Sequence, residues 1–272
     1  MDPLLRAGFR EAPPPAPLGA LAAPAVHWTA PLAAPWLGRD ELHVWRIDLD
    51  AAEADDHPAL DAHERARAAR FAFPRDRRRY VAAHAALRRI LGRYVGVAAA
   101  TLPLYASGTG KPMLALADAP AFNLSHAGGL ALLAVGHVRA LGIDVEAVRP
   151  LPDAELLARR CFTPAECVAI AATAPQRRAL AVMTCWTRKE ALLKATGDGL
   201  GRDPAGIHVG ADAGPRRVAV PAGGHTPPWS VALHTFRPAP GHVAAYGIAL
   251  GDAPASGDDP PVTHWYTDVA AS

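Results

Sequence analysis

LGIDVEAV, residues Leu141 to Val148, is the stretch that decides how this chain folds. Its apolar and acidic positions alternate with the period of a β-strand, so Ile143 and Val145 point one way and Asp144 and Glu146 the other. After it come a short helical stretch ending Arg159-Arg160-Cys161-Phe162 and a long one from about Gln176 to Thr196, closed by Gly197 as a C-cap signal. Strand-like segments follow at Trp229 to Phe236 and His242 to Leu250.

The same order occurs once before. Strand-like LHVWRIDL (Leu42 to Leu49) precedes a helical stretch ending Ala68-Ala69-Arg70-Phe71, a long helix from about Arg75 to Val95, and short strands at Phe122 to Leu124 and Leu130 to Val135. The expected architecture is therefore α+β, with two similar lobes in one chain at residues 39–139 and 140–251. Residues 1–38 are rich in alanine and proline (Ala12 to Pro17 is APPPAP) and are expected to be a disordered extension; residues 252–272 are expected to be a flexible tail in which Trp265 and Tyr266 have the means to dock.

Composition narrows the function classes. The 272 residues are 50% hydrophobic, enough for a full core. No apolar run reaches the ~18 residues of a membrane span, and Met1 to Trp36 lacks the basic-then-apolar order of a signal peptide, so a cytoplasmic address and no membrane partner are expected. Cys161, Cys167 and Cys185 are odd in number and form no C-x-x-C pair, which argues for reduced, mostly buried thiols. A net charge of +2 is too small to suggest nucleic acid as the partner. Lysine is almost absent: only Lys111, Lys189 and Lys194 stand beside 25 arginines. An ammonium on a flexible stem differs from a planar guanidinium, so these three positions are candidates for a specific need.

The chemistry-bearing residues cluster in four places. Asp144 and Glu146 share a strand face, where two like charges require either a cation between them or free exposure to water; magnesium, which takes a few carboxylates plus phosphate oxygens, suits the first case, and a solvated edge strand suits the second. On the second long helix, Trp186, Glu190 and Lys194 fall at i, i+4 and i+8, one stripe, so Glu190 offers a third carboxylate and Lys194 a phosphate partner, unless the two form an ordinary helical salt bridge. Gly108-Thr109-Gly110-Lys111-Pro112 is a tight turn without Walker-loop spacing. Phe122-Asn123-Leu124-Ser125-His126 places a hydroxyl and an imidazole at a strand end, fit for phosphate, with no G-x-S-x-G elbow to favour a hydrolase triad. Finally, Arg65 to Arg79 gathers arginines around Phe71 and Phe73, suited to a phosphate-rich small molecule, a solvated face or nucleic acid.

Taken in order, Gly110-Lys111-Pro112, FNLSH, Gly142 to Glu146 and Trp186 to Lys194 resemble the signature of the 4′-phosphopantetheinyl transferases of the surfactin-synthetase-activating type, over roughly residues 42–250. The resemblance implies a pseudo-twofold pair of α+β lobes with coenzyme A between them. It also implies a magnesium shell of Asp144, Glu146 and Glu190; Ser125 and His126 on the 3′-phosphate; Lys111 and Pro112 in the nucleotide wall; Lys194 on the phosphate under attack; and Arg67 and Arg79 as further phosphate contacts. The implied reaction is magnesium-dependent transfer of the pantetheine arm to a serine of an apo acyl or peptidyl carrier protein, with Glu190 or a water on the metal taking the serine proton. A monomer is expected, since both lobes lie in one chain. A magnesium-dependent phosphodiester hydrolase and a nucleic-acid-binding module remain the alternatives.

Overall fold

The computed structural model describes residues 23–30, 35–51, 58–149, 154–197, 199–222, 228–250 and 261–268. The first lobe runs β1 (Glu41–Asp48), α1 (Ala62–Ala68), α2 (Pro74–Val95), a two-stranded hairpin of β2 (Leu104–Ala106) and β3 (Pro112–Leu114), then β4 (Ala121–Ala127) and β5 (Leu130–Gly136). The second runs β6 (Ala140–Ala147), α3 (Ala154–Cys161), α4 (Pro164–Ala172), α5 (Pro175–Thr196), β7 (Arg216–Val220), β8 (Trp229–Phe236) and β9 (His242–Leu250); a last strand, β10 (Val262–Thr267), closes the chain.

The repeat expected from the sequence is visible in the pairing. In each lobe the first strand is antiparallel to the last, which is antiparallel to the one before it: β1-β5-β4 and β6-β9-β8. Each lobe also has one long helix of 22 residues, with proline in the first turn, where a missing N–H costs nothing, and glycine in the left-handed conformation at the end, Gly96 (φ 68°) and Gly197 (φ 78°). Leu87, Ile90 and Leu91 of α2 pack on Trp45, Ile47 and Leu133 of the first sheet; Leu192, Ala191 and Ala195 of α5 pack on Val231, Leu233 and Val243 of the second. The sheets' other faces meet in a shared core, Leu42, Val44, Leu132 and Ala134 against Ile143, Val145, Phe236 and Ile248. This is the α+β, two-lobed fold.

Gly142 sets how close α5 comes to β6. A methyl group there would run into the backbone of Ala191, Lys194 and Ala195 on α5; at its register partner Gly247 the fit is tight but less so, against the Leu233 side chain and the Ala191 carbonyl. A Gly142→Ala variant is expected to lose about 3 kcal/mol, the upper end of overpacking costs because the obstruction is backbone. Urea denaturation measures it; an unchanged midpoint would contradict this packing.

The ends of the chain differ from expectation. Val262–Thr267 of the presumed tail pairs in parallel with β1 along six residues, so residues 262–267 are the edge of the first sheet. The physical reason is composition: VTHWYT holds only β-branched and aromatic residues plus one histidine. Trp265 packs on Phe236 (ring centroids 4.6 Å) and Tyr266 on Trp45 (4.9 Å). Part of the presumed N-terminal extension is also tied down, since Ala25 bridges to Arg237, Thr29 to Tyr266, and the Trp28 indole donates to the Pro238 carbonyl. The rest of both segments lies outside the described residues. Among the described residues no helix is long and apolar enough to cross a membrane.

Candidate active site

Because residues 142, 144 and 146 share a face, the close approach that Gly142 permits turns Asp144 and Glu146 toward α5, where Trp186, Glu190 and Lys194 descend antiparallel to β6. The Lys194 ammonium donates to Asp144 Oδ1 (2.6 Å) and to Ser125 Oγ (3.1 Å), and the Trp186 indole donates to Glu146 Oε1 (3.1 Å). Glu190 sits between them in the stripe, half-buried. The structure thus places Asp144, Glu146, Lys194 and Ser125 together, with the Glu190 charge acting on Glu146.

Asp144 is 4% exposed, which rules out a solvated acidic edge. Its Oδ1 takes the Ser125 hydroxyl (2.9 Å) as well as Lys194, while its Oδ2 is buried with no hydrogen-bond partner. Burial, with the charge of Asp144 next, pushes the Glu146 carboxyl up to about 7, against the Trp186 hydrogen bond and Lys194, which pull it down. An orphaned buried carboxylate oxygen beside a second carboxylate that resists ionisation is the environment a hard, oxygen-seeking cation relieves, so the donor set fits magnesium. As they stand, the three carboxylates' ligand atoms are not gathered within 4.8 Å of one another; Asp144 and Glu146 each hold another partner.

The seam between the lobes is made by β4 lying along β6. Asn123, to which the sequence reading gave no role, accepts the Ile143 N–H (2.8 Å) through its side-chain oxygen, so an amide bridges two strands whose backbones do not pair. Successive residues of β4 face opposite ways: Ser125 is buried against Asp144, and His126 is exposed on the other side. Ser125 here holds the carboxylate. Although part of its surface reaches solvent, the His126 imidazole is hemmed in by protein, and that desolvation, followed by the charge of Lys194, holds it below its ordinary range, with His84 and Arg79 acting in the same direction. These groups form one basic border.

Arg79 forms a two-pronged pair with Asp50, Nε to Oδ1 and Nη2 to Oδ2, both 2.7 Å. The exposed Arg67 lies over the Tyr80 ring, 5.8 Å from its centroid. Lys111 has another use: its ammonium donates to the carbonyls of Leu141 (2.6 Å) and Lys194 (2.7 Å), pinning the β2–β3 hairpin to the C-terminal turn of α5, while Pro112 opens β3 on the surface. Burial, then the nearby Lys194 charge, lowers Lys111 to about 8. Lys189 is buried as well, paired with Glu166 and donating to Pro204 and Ile207 carbonyls.

With this geometry in place, likeness to known proteins is decisive. Residues 140–247 match the family described as the 4′-phosphopantetheinyl transferase superfamily, and residues 54–137 match one described as 4′-phosphopantetheinyl transferase, N-terminal. The 4′-phosphopantetheinyl transferase HetI of Nostoc sp. is 43% identical over 169 residues, covering 60% of this chain and 71% of that protein. The chain belongs to the 4′-phosphopantetheinyl transferases. A putative 4′-phosphopantetheinyl transferase of Synechocystis sp. is 31% identical over 160 residues (58% of this chain, 65% of that one), and 4′-phosphopantetheinyl transferase psf-1 of Bacillus pumilus is 30% identical over 143 residues (53% and 60%). The two matched regions meet at the β5–β6 connection, the boundary between the two repeats. As a 4′-phosphopantetheinyl transferase the chain is an enzyme of the transferase class, and its carboxylate stripe lies within the 140–247 match.

Proposed function

We propose that this phosphopantetheinyl transferase is of the surfactin-synthetase-activating type, taking the 4′-phosphopantetheine arm from coenzyme A and placing it on a serine of an apo acyl or peptidyl carrier protein. The observation that carries the reading is the meeting of Asp144, Glu146, Glu190 and Lys194 along one α5–β6 contact, three acids and one cation beside the seam between two lobes. Two complete lobes in one chain support a monomer, and the enzyme acts in the cytoplasm.

In this reading Asp144, Glu146 and Glu190 hold magnesium. When bound, the metal supplies positive charge to the diphosphate of coenzyme A. Lys194 contributes a second cation to the phosphoryl oxygens, and Ser125 fixes the Asp144 carboxylate by its hydroxyl. His126, Arg79 and Arg67 form the border that takes the remaining nucleotide phosphate. The carrier serine oxygen bonds to the β-phosphorus, the bond to the bridging oxygen breaks, adenosine 3′,5′-bisphosphate leaves, and Glu190 accepts the serine proton. Glu190→Gln keeps the shape but removes both the base and one of the three metal carboxylates, so the turnover number is expected to fall about 10²-fold or more; an unchanged value would take Glu190 out of both roles.

Chromatography of the nucleotide products with and without an apo carrier tests the reaction class. Adenosine 3′,5′-bisphosphate formed only when carrier and magnesium are both present is the expected result. Free phosphopantetheine released without any carrier would make the protein a phosphodiester hydrolase instead.

A further inference from the structure

We infer that Glu41, His43 and His264 form a second metal site, for zinc or a similar divalent transition ion, that staples β10 to β1. Among the described residues these three are a set whose ligand atoms already lie within 4.8 Å of one another, and neither the repeat nor the transfer chemistry uses them. Topology explains the juxtaposition. His43 and His264 are register partners on adjacent parallel strands, so their rings stand side by side, centroids 5.2 Å apart, and Glu41 projects from the same face of β1 two residues earlier.

The separations are longer than good hydrogen bonds and close to those between ligands that share a metal ion. His43 Nε2 lies 3.5 Å from Glu41 Oε2, and His264 Nε2 lies 3.6 Å from Glu41 Oε1. Good N–H···O bonds are about 2.9–3.0 Å. Ligands about 2.0–2.2 Å from a tetrahedral zinc are about 3.3–3.5 Å apart, and two imidazoles with one carboxylate are a known zinc donor set that leaves a fourth position for water. Imidazole nitrogens favour zinc, copper or nickel over magnesium.

The surroundings are built to orient the ligands. His43 is 1% exposed, and its Nδ1 lies 2.7 Å from the Tyr94 hydroxyl, which is itself fixed by the Trp45 indole N–H (2.9 Å). In the tautomer that carries its proton on Nδ1, that proton goes to the Tyr94 oxygen and the Nε2 lone pair is left for a metal, the outer-sphere arrangement that metal-bound histidines commonly have; metal binding selects this tautomer. The Gly38 N–H (2.8 Å) steadies Glu41. His264 (side chain 40% exposed) and Glu41 (28%) open to solvent, which supplies an entry path. Leu42, beside the site, pairs with Gly136, whereas the Ser125 end of β4 pairs with the Leu132 end of β5, so the site is at the opposite end of the sheet from Asp144. One end of β10 would be held by the metal, the other by the Arg89–Asp268 ion pair.

The test uses the full chain without a polyhistidine tag, stripped by chelator and titrated with zinc sulfate in excess magnesium, which occupies the carboxylate stripe. Wild type is expected to bind a zinc equivalent that His264→Gln and Glu41→Gln each weaken by more than about 100-fold, beyond the cost of outer-sphere changes, while Asp144→Asn retains it. Zinc is also expected to slow amide exchange in Val262–Thr267 in wild type and not in His264→Gln, with circular dichroism showing both folded. No zinc uptake by wild type in excess magnesium, or an equivalent kept unchanged in His264→Gln and Glu41→Gln, would overturn the proposal.

Discussion

Asp144→Ala is expected to lower the rate of transfer to a carrier protein by about 10³-fold or more, an activation cost of about 4 kcal/mol. The carboxylate is buried, its Oδ1 pairs with Lys194 and Ser125, and its Oδ2 has no protein partner. Removing it deprives the site of a metal ligand and frees Lys194 and Ser125 to move. The fold should survive, because Lys194 is only partly buried and keeps the Ile143 carbonyl as acceptor (3.3 Å), so its charge is not stranded. Asp144→Asn separates charge from shape: its amide oxygen still accepts hydrogen bonds, but it is a poor magnesium ligand. Steady-state kinetics with saturating coenzyme A, beside a melting curve, checks both; near wild-type rates in both variants would remove Asp144 from the chemistry.

Glu166→Ala is expected to destabilise the second lobe by about 3–5 kcal/mol, a large part of a typical domain's stability. Glu166 is fully buried, as is Lys189, and their charges meet at 2.7 Å. The other carboxylate oxygen accepts the N–H groups of Val209 (2.7 Å) and Gly210 (3.0 Å), and Glu166 also completes the Thr163 capping box that starts α4. Without Glu166 the ammonium keeps only the Pro204 and Ile207 carbonyls and becomes an uncompensated buried charge. Burial alone would raise the Glu166 carboxyl, but Lys189 and the Thr163 amide outweigh it and the net shift is below the ordinary 4.5. The carboxyl is thus easier to ionise in the folded state, so its contribution is complete above about pH 4.5 and is lost as pH falls through the lowered value. Urea denaturation at neutral pH measures the loss; a change under about 1 kcal/mol would show that the pair is not a stabilising unit.

The repeat was legible because each lobe writes it in plain periods: alternation in LHVWRIDL and LGIDVEAV, and two long helices closed by Gly96 and Gly197. The α5–β6 stripe was legible for the same reason, since one strand period and one helix period each place their functional side chains on a single face. The lysine bias pointed to real physical needs but not to a single role. Lys194 stands among the acids, whereas Lys111 and Lys189 each fit an ammonium between backbone carbonyls, where a guanidinium is too broad.

What was missed depends on partners distant in sequence. β10 follows a stretch rich in Pro, Gly, Ser and Asp, and its pairing with β1 spans more than 200 residues, so nothing local announces it beyond the strand-forming residues of VTHWYT. Ser125 and His126 look alike as neighbours in a motif, yet the pleat sends one into the seam and the other to the surface. Gly142 and Thr163-Pro164-Ala165-Glu166 did carry signals, a glycine inside a strand and a capping box, that point to close packing and to the start of α4.

The most direct measurement is the intact mass of an apo carrier protein after incubation with the enzyme, coenzyme A and magnesium. The expected result is a gain of one phosphopantetheine on the carrier, abolished by chelator and by Asp144→Ala. Several unrelated apo carriers left at their starting mass by the folded enzyme would contradict the account.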